Sequence, residues 1–423
     1  MITTSDGHLI ARHLEPVIAE RLSEEPVVIL TGARTVGKST LLAACSRAHN
    51  VPMIDLDDIQ TRRAVAADPA LFASGTAEPI CVDEFQHVPE LLDAIKAELN
   101  RDLRPGRYLL TGSTRYATLP RAGQSLTGRA HIMTMWPLSQ GELRGRKETF
   151  LDVLATDPAR LVTPVASATT RAEYEQLILA GGFPIAIARR TVASRGQWFT
   201  DFVSMVVERD VLEIRRIRQR RVMPLIMRHL AGQTAGLLNV SDIASRVQLD
   251  NRLVGDFVTL LESVFLVHRL EAFGRTLSGR VNRSAKVHVV DSGLAAHLLG
   301  ISQSRLSARD PSALSEFGHL TETFAVNELI KQAGWAEAQV RFSHFRTRDQ
   351  HEVDLVIETG EGAIAGIEVK ASSTIADNDF RGLRLLRDRL GTSFLGGVVL
   401  NLGQRSYSYE NRLHVLALDR LWT

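Results

Sequence analysis

The sequence has little cysteine, few aromatic side chains and almost no excess of charge of either sign. Its two cysteines, Cys45 and Cys81, match no spacing typical of a metal site or a disulfide framework, so we expect a reducing, cytoplasmic setting. The formal net charge of +2 at pH 7 gives no general argument for a nucleic-acid partner. Such an argument would have to come from a local basic cluster.

Long apolar runs are absent as well. The stretch "MITTSDGHLIARHL" contains no long apolar core, so we expect no signal peptide. No uncharged stretch approaches the roughly 20 residues that a helix needs to span a bilayer, so we expect no membrane partner. With 423 residues, of which 44% are hydrophobic, the composition is typical of a globular chain of roughly two to four domains.

The first third of the chain alternates short apolar runs with segments whose apolar residues follow helical spacing. The runs are "VVILTG", "VPMIDLDD", "PICVDE", "RYLLTGS" and "AHIMTMWPL" (27–32, 51–58, 79–84, 107–113 and 130–138). Strands that alternate with helices predict a mainly parallel sheet covered on both faces, which is a three-layer α/β arrangement.

The remainder of the chain changes pattern twice. Residues 140–222 predict mostly helix with a turn at "GGFP", and "WFTDFVSMVVERDVLEIRRIRQRR" predicts one long helix or two. Residues 223–300 contain two short helices, with Ser241 and Asp250 as expected N-caps, followed by two strand-like runs, which is typical of a winged helix. From about residue 312 an α/β pattern returns.

The segment "GARTVGKST" has the spacing G-x-x-x-x-G-K-S between an apolar strand and a helix, which is the pattern of a P-loop. Its glycines let backbone N–H groups point at phosphate oxygens, and the helix N-terminus adds partial positive charge. We expect Lys38 to reach the β- and γ-phosphates, Ser39 to bind Mg²⁺ and Thr40 to support the α-phosphate side. The candidate nucleotide-binding residues are Gly32, Ala33, Arg34, Thr35, Val36, Gly37, Lys38, Ser39 and Thr40.

The run "PICVDE" ends in two carboxylates, as the strand of an ATPase that follows a P-loop would. Asp83 is expected to hold Mg²⁺ through water, and Glu84 to orient or deprotonate the attacking water. Next along the chain, "RYLLTGS" places Ser113, with Thr111 as a second choice, where a polar side chain can sense the γ-phosphate. A turn serine is the plain alternative for Ser113.

These motifs, together with Arg129 just before the fifth strand, resemble the AAA-type branch of P-loop ATPases. More narrowly, the chain is similar over nearly its full length to a family of bacterial and archaeal ATPases. In that family an AAA-type core is followed by a winged helix and a C-terminal nuclease-like domain. The segments "GARTVGKST", "LTGS", "SLTGRA", "GGFP", "ERD", "DSGL" and "EVK" occur in the family's order.

The resemblance implies roles for two residues of the N-terminal part. Ser113 matches the sensor position, and Arg129 matches the arginine finger, which a neighbouring subunit usually supplies, so we expect a homo-oligomer. A surface arginine at a helix end is the plain alternative for Arg129. No second sensor arginine is evident in the helical segment. The expected units are an AAA-type domain (1–145), a helical segment (146–222), a winged helix (223–304) and a nuclease-like domain (305–423).

Carboxylates recur near the C-terminus in "EVDLVIETGEGAIAGIEVK", whose two apolar segments predict a hairpin. With Glu322 on an upstream helix, the set resembles the PD-(D/E)xK nuclease fold, although Val353 stands where the motif has proline. The resemblance implies that Asp354 and Glu368 hold Mg²⁺, that Glu322 completes the shell and that Lys370 positions or activates water. A solvated Glu–Lys face on an edge strand is the alternative, and the fold can persist without catalysis.

The densest basic run is "RRIRQRR" (215–221), just before the expected winged helix. Such a run is suited to nucleic-acid backbone, although it lacks interleaved aromatics and can equally be a solvated helix face. Two functions therefore stay open. One is a Mg²⁺-dependent ATPase that acts on DNA or RNA through the winged helix and the C-terminal domain. The other is a switch ATPase whose nucleotide state controls a protein partner, with an inactive nuclease-like domain.

Overall fold

A computed structural model describes the protein over residues 10–75, 78–115, 126–207, 222–274 and 284–423. The N-terminal sheet has five strands in the order β2-β3-β4-β1-β5, and every pair in it is parallel. Parallel sheets are buried on both faces, which explains why the strands are apolar runs without alternation. The predicted parallel sheet is confirmed. Its strands are β1 (Val27–Thr31), β2 (Met53–Asp55), β3 (Ile80–Asp83), β4 (Tyr108–Gly112) and β5 (Ala130–Thr134).

Helices cover both faces of this sheet. On one face Val28 and Leu30 share a core cluster with residues of α1 and α2, and on the other Val27 and Ile29 share a cluster with residues of α5. The sheet and its helices therefore form the three layers that the sequence predicts. The helices are α1 (Leu14–Glu24), α2 (Lys38–Ala48), α3 (Ile59–Ala67), α4 (Pro69–Ala73) and α5 (Glu90–Arg101).

A helical segment follows the sheet. The turn "GGFP" separates two of its helices, and Asp291 of the later "DSGL" segment holds it, because Gly182 N donates to Asp291 Oδ2 at 2.6 Å. A side chain at Gly181, whose φ is +70°, would place its Cβ 2.1 Å from Asp291 Oδ1. The sequence also predicts helix after residue 207, but residues 208–221 lie outside the described residues. The helices are α6 (Gln140–Arg144), α7 (Phe150–Thr156), α8 (Arg171–Ala180), α9 (Pro184–Ile187) and α10 (Val192–Met205).

Residues 223–289 form what we call the three-stranded unit, with an antiparallel sheet in the order β6-β8-β7. Asp250 caps α13 as expected, through its contact with Arg252 N. The expected cap at Ser241 is wrong, because the helix α12 already begins at Val240 and the side chain of Asn239 caps it by accepting from Asp242 N. The elements are α11 (Met223–Gly232), β6 (Gly236–Leu237), α12 (Val240–Val247), α13 (Asn251–Ser263), β7 (Val267–Leu270) and β8 (Lys286–Val289).

The C-terminal unit (residues 311–421) has a six-stranded sheet in the order β13-β14-β12-β11-β10-β9. Strands β9, β10 and β11 pair antiparallel, so the predicted hairpin is confirmed, and β11, β12 and β14 pair parallel. Short helices α14 (Ser292–Leu299) and α15 (Gln303–Ser307) precede the unit. Its elements are α16 (Pro311–Gln332), β9 (Val340–Arg346), β10 (Glu352–Thr359), β11 (Ile364–Lys370), α17 (Arg381–Leu390), β12 (Phe394–Asn401), β13 (Tyr407–Glu410) and β14 (Leu413–Ala417).

Helix α16 lies at the centre of the molecule and contacts several of the other parts. Its Glu328 accepts a hydrogen bond from Gln140 N at 2.8 Å, and its Lys331 donates to Leu138 O at 3.0 Å, both next to the N-terminal sheet. Asn327 bonds His268 of β7 at 2.8 Å. Short 3₁₀ helices complete the structure, at Phe85–His87, Pro158–Leu161, Asp377–Phe380, Gly391–Ser393 and Leu418–Leu421.

Among the described residues, no helix is both long enough and apolar enough to cross a bilayer.

Candidate nucleotide site

The P-loop connects the end of β1 to the start of α2. Gly37 has φ +104°, and a Cβ at Gly32 would lie 2.2 Å from Met135 O, so both positions need glycine. Thr35 also has a positive φ of 63°. The loop therefore makes a tight turn between the end of β1 and the start of α2.

Lys38 is folded back over this loop. It is buried, and its Nζ donates to Gly32 O at 2.9 Å and to Ala33 O at 2.8 Å. Both acceptors are backbone carbonyl oxygens of the loop itself. The ammonium group is thereby held at the mouth of the loop, by neutral oxygens that a phosphate oxygen can replace.

Asp83, at the end of β3, is buried between two hydroxyl groups. It is hydrogen-bonded to Ser39 of the P-loop helix and to Thr111 of β4. Burial raises the pKa of Asp83, and the two hydroxyl contacts oppose that rise. The hydroxyl and the carboxylate that the sequence assigns to Mg²⁺ are thus brought together, and Thr111 contacts Asp83 rather than a sensing position.

Glu84 follows with an unusual backbone conformation, φ 53° and ψ 46°, which is uncommon for a non-glycine residue. Ser113 Oγ donates to Glu84 Oε2 at 3.0 Å, and Gln86 Nε2 donates to the same oxygen. Gln86 Nε2 also lies 3.2 Å from Ser113 Oγ. The three side chains therefore hold one another, with the carboxylate of Glu84 fixed at the strand ends.

A cavity of about 640 Å³, which we call the P-loop cavity, opens in front of these groups. It is walled on one side by the P-loop and Glu84, and on the other by α9 and the residues after it. Arg189, which is exposed, belongs to that second wall. The lining residues are Arg34, Thr35, Gly37, Lys38, Ser39, Thr40, Asp57, Glu84, Ile185, Ala188 and Arg189.

A second, smaller pocket of about 50 Å³ shares Gly37 and Thr40 with the P-loop cavity. Its other walls are largely apolar and come from three separate segments of the chain, represented by Ile10, Leu138 and Pro184. Arg12 closes one side, where its guanidinium donates to Val36 O at 2.7 Å and to Trp136 O at 2.8 Å. A flat apolar group bound here would adjoin whatever occupies the P-loop.

The strand end that carries Ser113 also contacts the three-stranded unit. Two residues further on, Arg115 N donates to Ser263 O at 2.9 Å, and Arg115 Nε donates to Glu262 O at 2.9 Å. The Arg115 guanidinium lies 5.1 Å from the ring centre of Phe265. The last turn of α13 is therefore tied to the segment that holds Glu84.

Arg129 lies away from the cavity of its own chain. It directly precedes Ala130, which pairs with Val27 at the start of β1, whereas the P-loop follows the other end of β1. A five-residue strand separates the two edges by roughly 16 Å. Arg129 Nη1 donates to Asn100 Oδ1 at 2.6 Å on this far edge.

The candidate metal residues of the C-terminal unit surround a lysine. Lys286 of β8 donates to Glu322 Oε1 at 2.7 Å and to Asp354 Oδ1 at 3.0 Å, and Glu352 Oε1 lies 2.7 Å from its Nζ. The side chain of Lys286 is 1% exposed. Within the part of the chain that the structure describes, no group of three or more His, Cys, Asp or Glu residues could hold a metal ion.

Glu368 and Lys370 lie beside this group on β11, on one strand face as expected. Lys370 Nζ is 2.7 Å from Glu368 Oε1, and Asp354 Oδ2 accepts from Val369 N at 2.9 Å. Burial, together with the nearby Asp354 carboxylate, raises the pKa of Glu368 to about 8. Burial also acts to raise the pKa of Asp354, but the ammonium groups of Lys286 and Lys370 outweigh it and the pKa is lowered.

The expected nucleic-acid contacts are only partly described. The basic run 215–221 lies outside the described residues. On α13, Asn251 and Arg252 are exposed, and Asn251 Nδ2 lies 3.4 Å from Ser241 Oγ.

Three family models match the chain. Residues 24–144 match an AAA domain. This part of the chain is similar to AAA domains. Residues 171–305 match a domain of unknown function (DUF8612), and residues 317–421 match another domain of unknown function (DUF4143).

Similar proteins include an uncharacterized protein of Mycobacterium tuberculosis, 26% identical over 358 residues, which are 84% of this chain and 72% of the relative. An uncharacterized protein of Haemophilus influenzae is 24% identical over 227 residues, 52% of each chain. Among solved structures, the Walker-type ATPase PABY2304 of Pyrococcus abyssi is 15% identical, with a TM-score of 0.41 over 69% of this chain and 96% of that one. AMPPCP-bound DnaA from Aquifex aeolicus is 11% identical, with a TM-score of 0.27 over 62% and 89%.

Several residues of the AAA domain's surroundings were not predicted from the sequence. Gln86 has a weak signal, since it lies two residues after Glu84 in the same turn. Arg189 and Arg12 reach the P-loop only because the helical segment and the start of α1 pack there. Lys286 carries no signal of its own, because its partners lie 36 to 68 positions further along the chain.

Proposed function

We propose that the protein binds ATP and hydrolyses it with Mg²⁺ in the P-loop cavity. The observation that carries this proposal is the arrangement of Lys38, the Ser39–Asp83 pair and the clamped Glu84 around one open cavity. Each of these groups has a separate task in phosphoryl transfer. The match of residues 24–144 to an AAA domain supports the same conclusion.

Mg²⁺ fits the donor set at the base of the cavity. Ser39 and Asp83 offer a hydroxyl and a carboxylate oxygen already in contact, and oxygen donors with one or two carboxylates suit this ion. Bound there, Mg²⁺ would neutralise charge on the β- and γ-phosphates. Lys38 would exchange its bonds to Gly32 O and Ala33 O for phosphate oxygens, while the P-loop N–H groups bind the remaining phosphate charge.

Glu84 is proposed to orient the attacking water and to accept its proton. Ser113 and Gln86 both donate to one oxygen of Glu84, which fixes the carboxylate and leaves its other oxygen for the water. Holding the base in one geometry lowers the entropy cost of the reaction. Gln86 is therefore a positioning residue, and Ser113 senses the state of the site through Glu84.

The flanking pockets are proposed to hold the two ends of the nucleotide. The small apolar pocket between Ile10, Leu138 and Pro184 suits the adenine base, since a flat ring buries apolar surface there. Arg189, on the opposite wall of the P-loop cavity, is placed to contact the γ-phosphate from the same chain. It supplies the arginine of the helical segment that the sequence did not identify.

A second arginine is proposed to come from a neighbouring copy. Arg129 lies on the far edge of its own sheet, away from the P-loop of its own chain, where it is free to serve a site in another subunit. This supports the homo-oligomer that the resemblance implies. An arginine finger stabilises charge on the transferring phosphoryl group.

The remaining units are proposed to follow the division expected from the sequence: AAA-type domain (1–145), helical segment (146–222), winged helix (223–304) and nuclease-like domain (305–423). The helix and strand order of the three-stranded unit supports the winged helix. The succession of α16, β9, β10, β11, α17 and β12, with Glu322, Asp354 and Glu368 on neighbouring elements, supports the nuclease-like fold.

The output of hydrolysis is proposed to be a switch that acts on the three-stranded unit. Ser113 bonds Glu84, and Arg115 bonds the last turn of α13, so a change at Glu84 is carried two residues along the chain to that helix. A second candidate, action on DNA or RNA, is favoured by the exposed Asn251 and Arg252 at the start of α13. Stimulation of ATPase turnover by DNA or RNA would favour this second candidate, and stimulation by a protein alone would favour the switch.

The ATPase proposal is tested with Glu84→Gln, which preserves size while removing the base. ATP binding should stay within about twofold of wild type while turnover falls at least about 100-fold. Glu24→Gln, on the surface of α1, is the matched control. Hydrolysis by Glu84→Gln at the wild-type rate contradicts the proposal.

The same variant tests the role of Arg129. A mixture of Glu84→Gln with Arg129→Ala should recover activity, because some mixed assemblies contain a site with both groups intact. If neither variant alone nor the mixture turns over ATP, the assignment of Arg129 to a neighbour's site is contradicted.

A further inference from the structure

The resemblance to a nuclease implies a metal ion at Glu322, Asp354 and Glu368, but the residues as they are arranged do not fit one. We propose that Lys286 is a tethered cation that closes this acidic cluster (Glu322, Glu352, Asp354 and Glu368) against divalent metal ions. The C-terminal unit would then hold a metal only when the three-stranded unit withdraws the lysine. This inference is independent of the proposed ATPase activity.

The position of the ammonium group is the first argument. Lys286 Nζ lies 2.7 Å from Glu322 Oε1, 2.7 Å from Glu352 Oε1 and 3.0 Å from Asp354 Oδ1. Two of these oxygens belong to Glu322 and Asp354, which the resemblance assigns to the metal, and a divalent ion would need such oxygens at about 2.0–2.6 Å. The side chain of Lys286 is 1% exposed, so its ammonium group is buried among them. Metal and lysine therefore exclude each other.

The charge of the cluster is the second argument. Three of its carboxyl groups are buried and that of Glu352 is half-buried, and the ionised ones are stabilised by cations that lie against them. Lys370 pairs with Glu368, and Arg346 Nη1 lies 3.5 Å from Glu352 Oε2. Lys286 is the cation that directly contacts Glu322 and Asp354. Among the residues that the structure describes, Glu368 Oε2 is buried and has no hydrogen-bond partner. An oxygen in that state is an independent sign that the cluster is built to accept a further ligand.

The origin of the lysine is the third argument. Lys286 belongs to β8 of the three-stranded unit, whereas the carboxylates lie on α16, β10 and β11 of the C-terminal unit. The two units also meet through Thr234 and Thr323, whose hydroxyl groups are 2.9 Å apart, and through Phe273 N, which donates to His344 O at 2.6 Å. Withdrawal of Lys286 therefore requires these two units to separate. Lys286 thus keeps the cluster closed while the units are in contact, and we call this arrangement the latch.

The direct test is to remove the charge with Lys286→Met and to titrate nucleotide-free protein with Mn²⁺ in a calorimeter. Wild type should show no Mn²⁺ binding that depends on Asp354. Lys286→Met should gain one such site, because the carboxylates lose their cation. The double variant with Lys286→Met and Asp354→Asn should lose this Mn²⁺ site, which distinguishes it from any Mn²⁺ binding at the P-loop. An Asp354-dependent site of equal affinity in wild type overturns the proposal.

A second measurement, of the melting temperature, tests the proposal even if Lys286→Met folds poorly. Mn²⁺ should raise the melting temperature of Lys286→Met, because binding to the native state stabilises it, and should leave wild type unchanged. Lys286→Arg keeps a cation in place and should behave as wild type in both assays. If Mn²⁺ neither binds to Lys286→Met nor raises its melting temperature, the latch is overturned. Loss of ATPase activity in these variants would not bear on the latch.

Discussion

At the P-loop, Lys38 bonds backbone carbonyl oxygens and leaves Glu84 facing a cavity of about 640 Å³; in the C-terminal unit, Lys286 lies directly against three carboxylates. Both sites combine a buried lysine with buried carboxylates. In the first, the lysine donates to the carbonyl oxygens of Gly32 and Ala33, which a phosphate can replace. In the second, the partners of the lysine are the carboxylates themselves, and the lysine fills the space that a ligand would need.

The difference shows that residue type is a poor guide to whether an acidic site is open. Buried carboxylates must be paired, and the source of the pairing cation decides the outcome. Near the P-loop the cation, Lys38, belongs to the loop itself. In the C-terminal unit the cation is Lys286, which belongs to the three-stranded unit and is buried.

The largest effect is expected from breaking the closed site on its acidic side. Asp354→Asn removes one carboxylate from a lysine that stays buried, so the free energy of unfolding should fall by about 3–5 kcal/mol. Urea unfolding monitored by circular dichroism measures this loss. Asp349→Asn, on an exposed loop, is the control and should stay close to wild type. Equal stabilities of the two variants would show that the closed site contributes no more than a surface pair.

A smaller effect on stability, but a large one on activity, is expected at the open site. Lys38→Ala removes the ammonium group that we propose binds phosphate, so ATPase turnover should fall about 100-fold, which corresponds to about 3 kcal/mol in the transition state. Lys147→Ala, an exposed lysine of the same part of the chain, is the control. Unchanged ATP hydrolysis by purified Lys38→Ala would contradict the proposed role of Lys38 at the P-loop.

The smallest expected effect is a pH dependence of the free energy of unfolding that originates at His268. Burial lowers the pKa of His268, on the strand that pairs with the one carrying Lys286, from 6.5 to about 4. The unfolded chain therefore binds a proton between pH 6.5 and 4 that the folded chain does not, and stability falls as the pH falls through this window. The expected loss from His268 is about 2 kcal/mol between about pH 8 and about pH 5.

His268→Gln tests this origin, because an amide can keep a hydrogen bond to Asn327 without titrating. Unfolding curves at about pH 8, 6 and 5 should show a shallower loss of stability for this variant than for wild type. His319→Gln, an exposed histidine on α16, is the control. The same pH dependence in all three proteins would place the titrating group elsewhere.

The sequence predicted those features whose positions are set by their own segment. Lys38, Asp83, Glu84 and Ser113 each follow an apolar strand of one parallel sheet, so their strand ends meet at one edge. The parallel order and the β10–β11 hairpin follow from the same local patterns. These predictions need only the direction of each strand and the place where it stops.

The remainder depends on contacts between distant segments. Arg189 reaches the P-loop cavity because "GGFP" turns the helical segment back toward it, and Lys286 reaches the acidic cluster because two units pack together. Neither residue has a spacing that marks it. Arg129 was assigned from the family pattern, and only strand direction reveals that it lies on the edge away from its own P-loop.

Helix α16 also affects the order in which contacts can form while the chain is synthesised. Lys331 supports Leu138, a wall residue of the small pocket beside the P-loop, from 193 positions further along the sequence. At about 5–20 residues per second, the ribosome would complete the N-terminal third roughly 10–40 s before this support emerges. During that interval the wall of the small pocket lacks this support on the nascent chain.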